Sequence, residues 1–131
     1  MSRVATVGDL MSTALILIRD SDPVSVAAAQ MKQGSFRHLP VVDSRQNLVG
    51  IVSSRDVIEA LARGRKTTRV GEMMSPNPVT VTPETPAHQA IEILLEHRFG
   101  ALPVLASDGH LIGIVTETDF LIAARAALGP R

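Results

Sequence analysis

The 131-residue chain contains no cysteine, tryptophan or tyrosine and only three phenylalanines. The absence of cysteine excludes disulfide bonds, thiol catalysis and cysteine-ligated metals, and three aromatic rings leave little scope for binding a ligand by stacking. Net charge is also lacking, because 13 Lys and Arg balance 13 Asp and Glu. The balance gives no electrostatic reason to expect nucleic-acid or membrane binding.

Long apolar runs are missing as well. Runs such as residues 14–18 are far too short to span a bilayer, and the first ten residues lack the apolar region of a signal peptide. Yet 45% of the residues are hydrophobic, which is enough for a folded core. We therefore expect a soluble, cytoplasmic globular protein.

The chain repeats itself at an offset of 63 residues, which governs the prediction of its fold. Residues 7–61 align with residues 70–124 without a gap, and 17 of these 55 positions are identical. VGDLMS matches VGEMMS, SFRHLPVV matches RFGALPVL, and LVGIVSSRD matches LIGIVTETD. The repeat predicts two domains, residues 1–65 and 66–131.

Each repeat is predicted to form a short helical turn followed by the order β-α-β-β-α. The first helices are expected to open at Asp22-Pro23 and Thr85-Pro86, with proline in the first helical position. Because a three-stranded sheet cannot bury both faces alone, we predict an α+β fold in which the repeats pack with pseudo-twofold symmetry. The predicted ranges are helical turns 7–11 and 70–74, strands 15–18, 39–42, 48–52, 79–81, 102–105 and 111–115, and last helices 54–63 and 117–127.

Three motifs occur twice at matched spacing: D/E-[LM]-M-S, F-x-x-L-P-V-[VL] and G-I-V-[ST]-x-x-D. Together they resemble a tandem CBS (cystathionine-β-synthase) domain pair, the Bateman module, over nearly the whole chain. The resemblance implies the α/β-like CBS fold and a stand-alone regulatory module. It further implies a bound adenine nucleotide or adenosyl ligand (AMP, ADP, ATP, NAD or S-adenosylmethionine) in clefts between the repeats, and an unidentified effector protein that receives the signal.

The motif ends SSRD and TETD lie where a strand is predicted to meet a helix. Backbone N–H groups at a helix start attract anions, and a nearby hydroxyl and carboxylate suit a nucleotide. The resemblance implies that Asp56 and Asp119 bind ribose, with Ser53 and Thr116 as accompanying hydroxyls. The same spacing also describes a capping box that only stabilises the helix, so both interpretations stay open.

The resemblance also implies where the adenine base binds. One cleft is expected to join Asp119 to Ile16 and Ile18, and the other to join Asp56 to the strand of the second repeat, with alternate strand residues left to the core. The base-contacting residues expected in that second strand are Val79, Thr80 and Val81.

Arg37-His38 precedes Leu-Pro in the first repeat, where the second repeat has Gly100-Ala101. The resemblance implies that Arg37 and His38 face the phosphates of a ligand, and Arg55 is a further candidate. The alternatives are a solvated strand edge and a charged helix face.

Charge is uneven along the chain. Residues 1–69 hold ten Lys and Arg against six Asp and Glu, whereas residues 70–131 hold three against seven. Four cations crowd the connector between the repeats, and they indicate either a solvated connector or a contact with phosphate or nucleic acid. These cations are Arg63, Arg65, Lys66 and Arg69.

The four histidines show no metal-ligand spacing, and no nucleophile stands beside a base. We therefore expect no metal, no cofactor and no enzymatic activity. Apolar residues on the last helices predict a homodimer, and the alternative function is a ligand-free scaffold that only dimerises or docks onto a partner. The apolar helix residues are Val57, Ile58, Ala60, Leu61, Phe120, Leu121, Ala123 and Ala124.

Overall fold

The computed structural model describes residues 5–130. No helix in that range combines the length and apolarity that a membrane crossing needs. In chain order the elements are α1 (Val7–Leu10), β1 (Ile18–Arg19), α2 (Val24–Gly34), β2 (His38–Val42), β3 (Leu48–Ser53), α3 (Ser54–Ala62), a 3₁₀ turn (Val70–Glu72), β4 (Ser75–Pro76), α4 (Ala87–His97), β5 (Ala101–Leu105), β6 (Leu111–Thr116) and α5 (Glu117–Leu128).

The chain divides into two compact units. Ile16–Pro78 forms one unit, and the segment up to Leu15 joins the chain from Val79 onward in the other. The predicted domains, 1–65 and 66–131, follow the sequence repeat, whereas the compact units follow packing. The two divisions differ because the segment that begins each repeat packs with the sheet of the other repeat.

The unit Ile16–Pro78 is built on a four-stranded sheet in the order β1-β2-β3-β4. Strands β1 and β2 are parallel, and the other pairs are antiparallel. Helices α2 and α3 supply one side of its core, in which Val24, Leu39 and Val52 are fully buried. Val70, from the start of the second repeat, is buried in the same core.

The second unit contains the β5–β6 hairpin, flanked by two single bridges. Val81 pairs in parallel with Val104, and Ser12 pairs antiparallel with Ile114. These bridges occupy the edges that β1 and β4 occupy in the first unit. The predicted strand 79–81 is therefore one bridge, the predicted strand 15–18 is the two-residue β1, and β4 was not predicted.

The helices α2 and α4 begin one residue later than predicted, after Pro23 and Pro86 rather than at them. The residue before each proline does not cap the helix, because Asp22 accepts a hydrogen bond from Arg19 N (3.0 Å) and the Thr85 hydroxyl accepts one from Thr82 N (3.0 Å). The first helical N–H instead donates to a segment distant in sequence. These bonds are Val24 N to Thr68 O (2.8 Å) and Ala87 N to Ala5 O (2.9 Å).

Two aspartates fix the hairpin turns. The carboxylate of Asp43 accepts from the backbone of Asn47 and Arg45, and these bonds, the Asn47 bond above all, hold the pKa of Asp43 below its usual value. In the other hairpin the backbone N–H of His110 lowers the pKa of Asp108 in the same way. Both turns are therefore stabilised by ionised carboxylates.

Glycine allows close contact between each sheet and the segment that begins the other repeat, which we call the exchanged segment. A Cβ on Gly113 would lie 2.9 Å from Ser12 O and 2.9 Å from the sulfur of Met11. A Cβ on Gly50 would lie 2.9 Å from Ser75 O and would clash with the sulfur of Met74. The glycine in each G-I-V motif is therefore required by packing.

We expect Gly113→Ala to destabilise the protein by about 1–3 kcal/mol, because an added methyl group overpacks a fixed backbone contact. Ser12 O cannot retreat freely, since it accepts from Ile114 N (3.0 Å). Urea unfolding measures the loss. The exposed turn variant Ser107→Ala should stay within about 0.5 kcal/mol of the parent, and an equally small change in Gly113→Ala would contradict the close approach.

Candidate functional site

The junction of β3 and α3 positions the first candidate pair, Ser53 and Asp56. Ser53 is the N-cap of α3, and its hydroxyl accepts from Asp56 N (3.1 Å). In return Oδ2 of Asp56 accepts from Ser53 N (3.0 Å). The capping box considered from the sequence is therefore formed.

The junction of β6 and α5 repeats this geometry with Thr116 and Asp119. Oδ2 of Asp119 accepts from Thr116 N (2.8 Å) and from the Thr116 hydroxyl (3.1 Å). Asp119 N lies 3.3 Å from the same hydroxyl oxygen. Each of the two half-buried aspartates is thus held through one of its own carboxylate oxygens, Oδ2.

The second carboxylate oxygen is available in both pairs. Among residues 5–130, no hydrogen bond reaches Oδ1 of Asp56 or Oδ1 of Asp119. A carboxylate oxygen can accept two hydrogen bonds. Each box therefore caps a helix and still leaves an acceptor for a ligand, so the two interpretations of the motif are compatible.

Few backbone amides at the starts of α3 and α5 are free to bind an anion. Ser54 N donates to Arg37 O (2.7 Å), and Glu117 N donates to Gly100 O (3.1 Å). With the amides of Asp56 and Asp119 also occupied, only the second amide of each helix lacks a partner among the described residues. An anion here depends more on side chains than on the helix backbone.

The basic residues before Leu-Pro lie beside a different cavity. The exposed side chain of Arg37 lines a groove of about 530 Å³ between α2 and α3, whereas Asp56 lines a separate cavity of about 120 Å³. His38 is half-buried at the start of β2, and Arg55 is exposed on α3. The groove is lined by Ala28, Met31, Lys32, Ser35, Phe36, Arg37, Ser54, Val57, Ile58 and Leu61.

The candidate base-binding residues differ in how much of them a ligand can reach. Ile18 and Val81 are buried in the cores of their units. Both backbone groups of Val81 are also bonded to β5, since Val81 N donates to Pro103 O (3.1 Å) and Leu105 N donates to Val81 O (2.9 Å). Ile16 is partly buried against the first core. Val79 is exposed and Thr80 is half-buried.

In the second repeat, Gly100 and Ala101 occupy the positions of Arg37 and His38. Gly100 is half-buried and Ala101 is buried at the start of β5. The expected pairing of Asp119 with Ile16 and Ile18, and of Asp56 with Val79 and Val81, joins residues of different compact units and stays a prediction.

Sequence reasoning missed a third capping box and part of the Asp56 cavity. The box is formed by Thr6 and Asp9, where Thr6 N donates to Oδ2 of Asp9 (2.8 Å), and its T-x-x-D spacing was the available signal. The cavity includes Glu59, which was not among the candidates, and Arg65, which the sequence indicated as either a solvated connector residue or a phosphate contact. Helical spacing could have found Glu59, which lies three residues after Asp56.

No group of three or more His, Asp or Glu residues in the described part of the chain is arranged to hold a metal ion. A family model described as CBS domain matches residues 7–63 and again residues 70–126. The chain belongs to the CBS domain family. It is a tandem CBS pair with the α+β CBS fold, a type of module that is regulatory rather than catalytic.

Solved structures resemble this CBS pair over nearly its whole length. CBSX2, a protein of Arabidopsis thaliana, was solved in complex with AMP. It is 33% identical with a TM-score of 0.80, and the match covers 95% of this chain and 99% of that one. The CBS domain pair of protein MJ0100, in complex with 5′-methylthioadenosine and S-adenosyl-L-methionine, is 27% identical with a TM-score of 0.87, again over 95% and 99%.

A curated enzyme also contains a related segment. Homoserine O-acetyltransferase of Methanosphaerula palustris is 36% identical over 111 residues, which is 85% of this chain but only 22% of the enzyme. The chain therefore spans about a fifth of that relative, whose name says nothing about a reaction catalysed by this CBS pair.

We expect Thr116→Ala and Ser53→Ala each to destabilise the protein by about 1 kcal/mol, because each removes the hydroxyl that caps a helix. Urea unfolding midpoints measure the effect. Thr118→Ala is the matched control, since Thr118 is exposed on the first turn of α5 and no capping bond involves its side chain. A loss no larger than that of the control would contradict the capping role.

Proposed function

We propose that this CBS pair is a regulatory module that binds an adenine nucleotide or adenosyl compound at Asp56 and Asp119. The observation that carries the proposal is the doubled junction, in which Oδ2 of each aspartate is held by the backbone while Oδ1 lacks a partner among the described residues. A ribose has two adjacent hydroxyl donors. A half-buried carboxylate already fixed in position suits them, because little side-chain entropy is lost on binding.

The choice of an adenosyl ligand is supported by the structures that this chain resembles. CBSX2 binds AMP, and the MJ0100 pair binds 5′-methylthioadenosine and S-adenosyl-L-methionine. We propose the same class of ligand here, with AMP, ADP, ATP, NAD and S-adenosylmethionine as candidates. A change of shape or association on binding would pass the signal to an effector protein in the cytoplasm, without catalysis by this chain.

We expect the double variant Asp56→Asn/Asp119→Asn to bind AMP or S-adenosylmethionine at least about tenfold more weakly than the parent. The reason is that charge-assisted hydrogen bonds to the ribose become neutral ones. Isothermal titration calorimetry measures the change in affinity. No heat from the parent protein with any of the five candidate ligands would overturn the proposal.

Asp9→Asn provides the matched control for this experiment. Asp9 forms the same type of capping box at α1 but does not lie at a β3–α3 or β6–α5 junction. Its replacement should lower stability and leave ligand affinity unchanged. Equal weakening by Asp9→Asn would show that the effect comes through stability rather than through ribose contacts.

We also propose that the module is a homodimer, based on apolar side chains left uncovered on α3 and α5. Ile58 is 66% exposed, Leu121 is 68% exposed and Leu128 is 83% exposed. Of the residues suggested from sequence for the dimer face, Val57 and Ala60 lie in the core of their own unit. No residue of α5 is fully buried, and an apolar helix of this kind is normally covered on more than one side.

We expect light scattering to give twice the 14.0 kDa chain mass and Leu121→Glu to give the mass of a single chain. Leu121 is exposed within the chain, so the charge should disrupt association with little loss of folding stability. Ser107→Glu adds the same charge to a hairpin turn and should leave the dimer intact. A parent protein of 14 kDa at micromolar concentration would refute the dimer.

A ligand-free scaffold is the second candidate function. It is favoured by the completed capping boxes, which by themselves give Ser53, Asp56, Thr116 and Asp119 a structural role. The scaffold requires that the aspartate variants change stability alone and that the dimer forms without any ligand. The calorimetry described above separates the two functions.

A further inference from the structure

A small cavity beside α3 places the proposed ribose aspartate next to cations. The cavity measures about 120 Å³ and lies wholly within the unit Ile16–Pro78. That volume equals the liquid volume of about four water molecules, which is room for a phosphoryl group. Its lining consists of Asp56, Glu59, Ala60, Arg63, Arg65, Thr68 and Met73.

The end of α3 turns Arg65 back toward this cavity. Gly64 has φ of +71°, a left-handed conformation that glycine adopts without strain. Gly64 N donates to Leu61 O (3.0 Å), and Arg65 N donates to Ala60 O (2.9 Å). These are the two hydrogen bonds of a Schellman motif, and they fix the backbone of Arg65 against the last turn of the helix.

The charges of the cavity leave one arginine for a ligand. Arg63 donates to Glu59 in a 3.0 Å ion pair, so those two charges largely neutralise each other. Arg65 forms no ion pair with any described residue. Asp56 and Arg65 therefore remain as the acceptor and the cation that a ligand entering this cavity would meet.

The second repeat lacks both the turn and the cations. The positions that correspond to Glu59, Arg63 and Arg65 are Ile122, Ala126 and Leu128. Ala127 replaces Gly64, and α5 continues as a helix to Leu128 instead of turning back. Ile122, one helical turn after Asp119, is 49% exposed, so an apolar side chain lies beside Asp119 where Glu59 lies beside Asp56.

We propose that Arg65 makes the Asp56 half-site selective for a phosphorylated adenosine, whereas the Asp119 half-site selects an adenosyl compound with an uncharged, apolar 5′ group. The inference rests on the proposed function, since it divides one class of ligand between its two ribose aspartates. Asp56 accepts the ribose hydroxyls and Arg65 binds the 5′ phosphate in the adjoining cavity. Arginine is suited to this contact because its planar guanidinium can donate two parallel bonds to a phosphate.

The test is calorimetric titration of the parent, Arg65→Gln and Lys66→Gln with AMP and with adenosine. Arg65→Gln should bind AMP about tenfold or more weakly, because a charge-assisted contact is lost, and should bind adenosine as the parent does. Lys66→Gln removes the same charge from the neighbouring residue, which does not line the cavity, and should bind both ligands like the parent. Thermal unfolding confirms that each variant is folded.

Arg37→Gln tests the alternative phosphate partner suggested by sequence. Arg37 lines the α2–α3 groove rather than the Asp56 cavity, so its replacement should weaken AMP less than Arg65→Gln does. The assignment of Arg65 is overturned if Arg37→Gln has the larger effect, or if Arg65→Gln weakens AMP and adenosine equally. Either result leaves the proposed adenosyl-binding function standing.

The single aspartate variants test the division between half-sites. Asp56→Asn should weaken AMP more than 5′-methylthioadenosine, and Asp119→Asn should weaken 5′-methylthioadenosine more than AMP. Equal effects of both variants on both ligands would overturn the selectivity while preserving the function. A parent protein that binds neither adenosine, AMP nor 5′-methylthioadenosine would instead remove the proposed function and this inference together.

Discussion

The backbone of an exchanged segment lies directly against a glycine in each unit, and the rest of the fold depends on this approach. Ser12 exchanges two hydrogen bonds with Ile114, and β4 pairs with β3 across Gly50. The segments that approach in this way carry Val7 and Val70 into the two cores, where both are fully buried. Each unit is therefore completed by residues from both repeats, and neither repeat alone contains a whole core.

The same constraint orders the candidate site. Once the edge of β3 is held, its register with β2 places Ser53 opposite His38, and the register of β5 with β6 places Thr116 opposite Ala101. The first residue of each helix then bonds to the neighbouring strand: Ser54 N donates to the carbonyl of Arg37, and Glu117 N donates to the carbonyl of Gly100. Asp56 and Asp119, which we propose to bind ribose, are thus positioned by the strand ladder and by their capping boxes, before any ligand arrives.

Local patterns predicted the parts of the fold that local chemistry decides. Both hairpins, the junction helices and the Ser53 and Thr116 boxes follow from alternation and [ST]-x-x-D spacing. The shortened β1, the missed β4 and the late starts of α2 and α4 depend on distant partners such as Thr68 and Ala5. The cavity at Asp56 was not predicted for a different reason: the turn at Gly64 is local, but the side chains that it brings together with Asp56 follow only from the folded backbone.

The two repeats share the geometry of their hydrogen-bonded strand–helix junctions and differ at the C-terminal ends of α3 and α5. Asp56 and Asp119 share one geometry because the strand–helix junction is tied to the backbone before Leu-Pro. At the C-terminal ends of α3 and α5 the equivalent residues are Gly64 and Ala127. The chain turns back at Gly64, whereas α5 continues through Ala127 to Leu128. A duplicated backbone can therefore keep the same carboxylate acceptor in both repeats, which we propose for ribose, while the ends of the two equivalent helices differ in charge and polarity.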